Sequence, residues 1–300
     1  MSIRVGVAFR TRRSEEKLLF AAMKKHPRIE PVELYEPRIS LPLTREQQNV
    51  DIVLERLVSH TRALDVLAAY EYARIPCINS HSVASVCGNK LTTSLALSTH
   101  EVAQPNYRAF FLDRANGTRD PASGLDAALE MLDEFGYPLV LKPILGSWGR
   151  GVQRIDNPVM ARSALIEKRQ AAELHNGTVY VQEYINKNTH SNAERHRDIR
   201  SFVIGDECIA AIYRTSEDWL TNTARGAKAS NCPLDDALVD ISLAAARAVG
   251  GGVLAVDLFD DPDRGYLVGE VNYTMEFRNS IDTTGVDIPA RIVDYIARCS

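Results

Sequence analysis

Over roughly its first ninety residues the chain alternates strand-like with helix-like segments, and after Tyr137 it no longer does so. Residues 3–9 are a run of β-branched and apolar residues. Residues 14–25 place leucines, alanines and Met23 at helical spacing behind Ser14, a residue type that caps helix N-termini. Residues 50–54 read as a second buried strand, and residues 59–73 as a helix with Leu64, Leu67, Ala68 and Tyr72 on one face. A short extended piece follows at 76–79. Strand and helix in turn imply a small parallel α/β unit.

The texture then changes. Cys87-Gly88-Asn89-Lys90 opens a helix expected over 90–98, residues 119–124 are loop-like, and 125–135 form an amphipathic helix stopped by Gly136. From Tyr137 the segments YPLVLKPI, GVQRI, TVYVQEYI, IRSFVIG and ECIAAIYR all read as strands. One helix interrupts them at 235–249, with Leu238, Ile241, Ala245 and Ala248 inward and Gly250-Gly251-Gly252 as its stop. Strands at 253–259 and 265–271 follow. The polar tract NKNTHSNAERHR, residues 186–197, reads as a mobile loop.

Composition narrows the function classes. The 300 residues are 45% hydrophobic and 25% charged with a net charge of −4, which suits a soluble globular protein and disfavours a general nucleic-acid binder. No apolar run approaches the roughly 20 residues that span a bilayer, so no membrane segment is expected. The five cysteines form no CxxC pair, and reduced thiols in a cytoplasmic protein are the expectation.

Three groups of residues can carry chemistry. In VLKPILGSWGRGVQRI, Gly146, Gly149 and Gly151 lie between strand-like flanks. No GxxxxGK[ST] is present and no helix follows, so neither a Walker loop nor a dinucleotide fingerprint fits. What remains is a glycine-rich hairpin whose backbone N–H groups can close over a polyphosphate. Lys142, in the apolar strand before it, either meets that anion or escapes to solvent at a sheet edge.

The second group is Asp257, Glu270 and Asn272. The strands VLAVDLF and YLVGEVN are joined by DDPDRG, and a turn centred between Asp263 and Arg264 sets Asp257 opposite Glu270, with Asn272 on the same face. Two close carboxylates need a cation. An oxygen-only set suits Mg²⁺, and an acidic face neutralised by arginine is the other reading.

Arginines form the third group. Arg200 begins a strand and Arg225 lies in the polar run TNTARG, and each suits either phosphate or solvent; Arg214 ends an apolar strand and could face a carboxylate. The histidines give no HxxxH spacing, and no GxSxG occurs, so zinc-enzyme and serine-hydrolase readings have little support.

With these motifs, together with QEYI, DIRSFVIG, AAIYR, EVNYTMEFRNS and TTGVDIP, the chain resembles the RimK-related branch of the ATP-grasp ligases over essentially its whole length. The resemblance is to those members that load 2-aminoadipate onto the small acidic amino-group carrier protein LysW in lysine biosynthesis. It implies an α/β (α+β ATP-grasp) fold, with a pre-ATP-grasp domain at 1–88 and an ATP-grasp domain at 89–300. The latter would divide into a central subdomain, about 89–182, and a C-terminal one, about 183–300.

Carried over by position, it implies nucleotide contacts from Lys90, Lys142 and Asn222, and a flap of Gly146, Ser147, Trp148, Gly149, Arg150 and Gly151. Gln182, Glu183, Tyr184 and Ile185 would form an adenine-reading hinge. Asp257, Glu270 and Asn272 would hold Mg²⁺, two ions with ATP. Arg200 and Arg225 would act at the transferred phosphate. Arg214 with Glu276, Phe277, Arg278, Asn279 and Ser280 would position the amino acid. A homodimer or homotetramer is implied as well.

The sequence departs from the family pattern after TNTARG, where Ala227 stands in place of a second glycine, in the length of the tract at 186–197, and at Tyr273, which the resemblance places close to where the amino acid is chosen. Alternatives at this point are glutamate as the amino acid, RimK-like ligation to another protein, a kinase that stops at phosphoryl transfer, and a non-catalytic nucleotide-binding module.

Overall fold

The computed structural model describes residues 2–41, 44, 49–112, 121–170, 177–187, 195–221 and 226–299. Its strands form three sheets. The first is parallel, in the order β2-β1-β3-β4, from β1 (Ile3–Phe9), β2 (Ile29–Tyr35), β3 (Ile52–Glu55) and β4 (Cys77–Ile78). Helices α1 (Ser14–Lys25), α2 (His60–Tyr72), α3 (His81–Cys87) and α4 (Lys90–Thr99) accompany and follow it. This is the parallel α/β unit expected from the alternation.

Some local expectations are corrected. The N-cap of α1 is Arg13 rather than Ser14, and the Glu16 side chain accepts the Arg13 backbone N–H at 3.0 Å. In α2 the buried face is Ala63, Val66, Leu67 and Tyr70, while Tyr72 is 80% exposed; the face turns inward where Tyr70 can fill the space beneath the sheet. Strand β2 was not expected. It carries Pro31, whose missing N–H is tolerated because β2 lies at the sheet edge.

The second sheet is antiparallel, in the order β5-β8-β6-β7, from β5 (Tyr107–Phe111), β6 (Leu139–Lys142), β7 (Gln153–Ile155) and β8 (Thr178–Glu183). Strands β6 and β7 pair Leu139 with Ile155 and Leu141 with Gln153, so the glycine-rich segment is the connection of a hairpin. Helices α5 (Pro121–Phe135) and α6 (Pro158–Gln170) cover the sheet and give it a core of its own, with Leu132, Leu141, Leu165 and Val181. Helix α5 starts earlier than the expected residue 125, and α6 was not expected; only Ala161, Ala164 and Leu165 of α6 are buried, too weak a pattern to stand out.

The third sheet has the order β11-β10-β9-β12-β13 and is antiparallel throughout, from β9 (His196–Ile204), β10 (Glu207–Ser216), β11 (Lys228–Asn231), β12 (Val253–Asp261) and β13 (Gly265–Asn272). Helix α7 (Asp236–Ala248), capped by the Asp235 carboxylate accepting Leu238 N–H at 2.7 Å, covers one face. Helices α8 (Arg278–Thr284) and α9 (Ile288–Arg298) follow. Ile288, Ile292 and Ile296 of α9 lie one turn apart and join Val5, Leu19, Phe202 and Ala255 in one cluster, so the first and third sheets share a core. Each such buried isoleucine contributes about 1.5–3 kcal/mol. No helix among the described residues is long and apolar enough to cross a membrane.

Candidate active site

The chemistry-bearing side chains lie where the second and third sheets face each other. Strand pairing brings Asp257 of β12 opposite Glu270 of β13 and, on its other side, opposite Arg200 of β9. A bulge at Gly269 makes the first pairing. Leu258 pairs with Val268 and Asp257 with Glu270, so Gly269 is the extra residue.

Arg200 grips Asp257 bidentately, Nε to Oδ1 at 2.7 Å and Nη2 to Oδ2 at 2.8 Å. Arg214 on β10 does the same to Asp198 at 2.7 and 2.9 Å, and its Nη1 lies 3.3 Å from the Asp257 carboxylate. Burial alone would raise the Asp257 pKa, but the two guanidiniums outweigh it and hold the carboxyl at about 2. Burial likewise works against the Arg214 cation, and Asp198 and Asp257 more than restore it.

Lys187 is a site residue that sequence reading missed, because it falls in the tract taken for a mobile loop. Its Nζ donates to Thr221 Oγ1 at 2.8 Å and to the Trp219 carbonyl at 3.1 Å, and lies 3.4 Å from Asp198 Oδ2. Burial pulls its pKa down, against the pull of Asp198. The signal was a single lysine two residues after the QEYI strand end.

The facing sheet supplies two more cations. Lys142 ends β6, and its Nζ donates to Gln182 Oε1 on β8 at 2.5 Å. Burial pulls its pKa down to about 8, opposed by Glu270 and assisted by Lys90. Lys90 opens α4 behind the cap Asn89; its Nζ lies 3.0 Å from the Gly146 carbonyl and 3.5 Å from Glu270 Oε1. Lys142 is therefore an inward lysine rather than a solvated edge one.

Above these cations runs the glycine segment. Gly146, Gly149 and Gly151 have φ of +139°, +68° and +65°, and Trp148 has +60°, a conformation only glycine adopts freely. The Trp148 indole N–H reaches the Glu276 carboxylate at 3.3 and 3.4 Å, and Arg150 stacks on its ring at 4.8 Å. Next to Gln182 at the end of β8, the Glu183 carboxylate accepts the Asn106 backbone N–H at 3.1 Å and pairs with Arg264 at 2.9 and 3.0 Å. Tyr184 packs edge-on to Trp219 at 6.1 Å, and Ile185 is buried.

Three cavities meet here. One of about 110 Å³ is lined by Lys90, Lys142, Lys187, Asp257 and Glu270 beneath Gly146–Arg150. A second, of about 380 Å³, shares Asp257, Glu270 and the flap but extends to Arg13, His60 and Tyr273. A third, of about 50 Å³, is lined by Arg200, Arg214, Glu276, Arg278, Asn279 and Ser280. Phe277, expected beside them, turns into the core at 1% exposure, so its ring is packing and not lining. Asn222 and Arg225 lie outside the described residues, as does most of the polar tract at 186–197.

Both readings of the acidic pair have a counterpart. The carboxylates are held by cations, and they also compose a hard oxygen set with the Asn272 amide, whose Nδ2 is 3.4 Å from Asp257 Oδ2. Asp257 Oδ2 is taken up by Arg200, Arg214 and Asn272, but Oδ1 keeps a lone pair beyond its bond from Arg200, and Glu270 faces Lys90 only at 3.5 Å among the described contacts, so oxygen donors remain and the set fits Mg²⁺. Among the described residues no cluster of three His, Cys, Asp or Glu side chains offers a different metal site.

Comparison with known proteins adds the following. The model of a RimK-like ATP-grasp domain matches residues 117–296, and that of a LysX preATP-grasp domain matches residues 5–86. The alpha-aminoadipate–LysW ligase LysX of Saccharolobus solfataricus is 36% identical over 250 residues, covering 83% of this chain and 84% of that one. The glutamate–LysW ligase ArgX of Sulfurisphaera tokodaii is 30% identical over 291 residues, covering 95% and 94%. Among solved structures, a RimK domain protein ATP-grasp from Sphaerobacter thermophilus superposes with a TM-score of 0.75 at 22% identity, over 97% of this chain and 98% of that one.

Proposed function

The chain belongs to the RimK-like ATP-grasp family, and on that premise we propose that it is an ATP-dependent carboxylate–amine ligase. Its reaction joins the α-amino group of 2-aminoadipate to the side-chain carboxylate of the C-terminal glutamate of a LysW-like carrier, in lysine biosynthesis. The observation that carries the reading is one shared wall. Asp257 and Glu270 border both the small cation-lined cavity and the larger one beside it, so a nucleotide phosphate and an acceptor meet at the same two carboxylates.

In this reading Lys142 and Lys90 draw the ATP phosphates in, and the backbone of the glycine flap covers them. Gln182 to Ile185 border the adenine. Asp257, Glu270 and Asn272 hold Mg²⁺, two ions with ATP, which when bound neutralise phosphate charge. The carrier carboxylate attacks the γ-phosphorus, the bond to the ADP oxygen breaks, and an acyl phosphate forms.

Arg200 lies beside this phosphate, and a guanidinium there stabilises the charge that gathers on it. The amine then attacks the acyl carbon, and inorganic phosphate leaves with the carbonyl restored. The proton shed by the amine goes to departing phosphate or to water. Arg214 acts at one remove, because its bidentate partner is Asp198 and it steadies Asp257.

The test is ADP release by the purified protein with Mg·ATP and the carrier of the same organism, together with intact-mass analysis of that carrier. Aminoadipate and glutamate are offered separately. A gain of one aminoadipate residue is expected. A glutamate adduct in its place moves the pathway and keeps the mechanism, and no adduct with either overturns the carrier reading.

A further inference from the structure

Lys142 is held from one side only. An ammonium carries three N–H donors, and the one hydrogen bond that Lys142 makes among the described residues goes to Gln182 Oε1 at 2.5 Å. The other two N–H groups belong to the wall of the cavity of about 110 Å³ that Lys142 lines. What aims this side chain is therefore whatever holds Gln182.

Strand register assembles that support. Lys142 of β6 pairs with Tyr180 of β8, so the two side chains share a face of the sheet, and Gln182, two residues on, shares it too. Gln182 Nε2 donates to the Tyr180 hydroxyl at 3.4 Å, and that hydroxyl lies 2.8 Å from Ser94 Oγ on α4. Tyr107 of β5, opposite Gln182, stacks on the Tyr180 ring at 5.9 Å. Gln182, Tyr180 and Ser94 are 2%, 1% and 4% exposed, so these hydrogen bonds run away from solvent. They end on a tethered element, because the Lys90 backbone N–H at the start of α4 donates to the Ile144 carbonyl, two residues past Lys142, at 2.9 Å.

The direction of every bond follows from Lys142. An ammonium only donates, so Gln182 turns its carbonyl oxygen to Nζ and its amide N–H to Tyr180. Burial pushes the Tyr180 phenol up to about 12, so the hydroxyl keeps its proton; accepting from Gln182, it donates to Ser94 Oγ. Donors that all run one way polarise one another, which strengthens the Gln182 oxygen as an acceptor. Apolar side chains would fill this space without polar groups to satisfy. The three polar groups found there share one terminus, the ammonium.

Resting on the ligase reading above, in which Lys142 meets the ATP phosphates, we propose that Gln182, Tyr180 and Ser94 form a relay that aims the Lys142 ammonium at the nucleotide. Lys142 is then the binding residue, and the other three are positioning residues that act through it.

The test is the affinity for Mg·ATP by titration calorimetry, without amino acid or carrier, with thermal melts alongside. It compares wild type with Gln182→Met, Tyr180→Phe and Ser94→Ala, each alone and combined with Lys142→Met. Gln182→Met is expected to weaken binding about tenfold, and Tyr180→Phe and Ser94→Ala about threefold. Combined with Lys142→Met, each is expected to change affinity by less than about 1.5-fold, because no ammonium remains to be aimed.

Losses of the same size with and without Lys142 overturn the relay, since side chains that only fill the core act whether or not the ammonium is present. So does an affinity that a folded Tyr180→Phe leaves unchanged. Where Gln182→Met does not fold, Tyr180→Phe and Ser94→Ala, each the removal of one oxygen, give the same comparison. Binding that Lys142→Met does not weaken removes Lys142 from the phosphates, and the relay with it. A wild type that binds no Mg·ATP overturns the ligase reading itself.

Discussion

Arg200 and Asp257 are joined by two parallel hydrogen bonds across the β9–β12 pairing, and Asp257 reaches Glu270 on its other side through β13. One carboxylate thus stands between the guanidinium proposed to meet the phosphate and its acidic neighbour. Its depressed pKa, about 2, keeps it charged across the neutral range.

Asp257→Asn removes that charge without changing shape. It leaves Arg200 and Arg214 facing a neutral amide and the proposed Mg²⁺ set with one carboxylate. ADP formation is expected to fall by about 10²-fold or more, with near-native circular dichroism. Activity within threefold of wild type would remove Asp257 from the machinery.

Lys142 sets a pH dependence. Its folded pKa of about 8 lies below the ordinary 10.5, so the bare protein loses this ammonium as pH rises through 8. Affinity for Mg·ATP is expected to weaken between about pH 7.5 and 9.5, and Lys142→Met is expected to flatten that profile while weakening binding at pH 7. The linked stability has the opposite sign: burying the ammonium costs stability below pH 8, and that cost lifts between 8 and 10.5. Titration calorimetry and thermal melts across the range check both.

How much of this was legible in the sequence is clearest at Asp257. A turn centred between Asp263 and Arg264 sets it opposite Glu270, and they do pair, but by a different route. The turn actually pairs Asp261 with Gly265, and an unbroken ladder from there would have set Asp257 against Gly269. The bulge at Gly269 restores the pairing, and no count along one strand reveals it. Arg200 as the partner of Asp257 was equally hidden, because β9 and β12 are joined only through long-range pairing. Alternation in the first sheet and the apolar stripe of α7 were legible because they are local. Strand β2, α3, α6 and β11 were not, being short, edge-placed or weakly patterned.

Gly269→Ala tests the bulge directly. A Cβ there would lie 2.7 Å from Phe259 Cε2 and 3.5 Å from the Asp257 carbonyl. The ring or the bulge must shift, and a loss of about tenfold or more in ADP formation is expected with a smaller loss of stability, about 1–3 kcal/mol. Full activity would show that the register tolerates the added atom.

Asn79 ties the first sheet to the third. Its side chain donates to the Val253 carbonyl at 2.8 Å and the Tyr273 carbonyl at 2.6 Å, and accepts the Val253 N–H at 2.7 Å. Asn79→Ala leaves these buried groups unpaired and is expected to cost about 2–4 kcal/mol in denaturant unfolding. Gly252→Ala would press a Cβ to 2.0 Å from Asn79 Oδ1, so the two losses are expected to be strongly non-additive. Additive losses would mean that Asn79 does not act through this contact.

The middle sheet carries Lys142 and the flap on a core of its own, while the first and third sheets share another. The candidate site lies along the seam between these two cores, with Lys142 on one side and Asp257 on the other. A substitution that repacks one core leaves the side chains of the other in place, and what it changes at the site is the spacing across that seam.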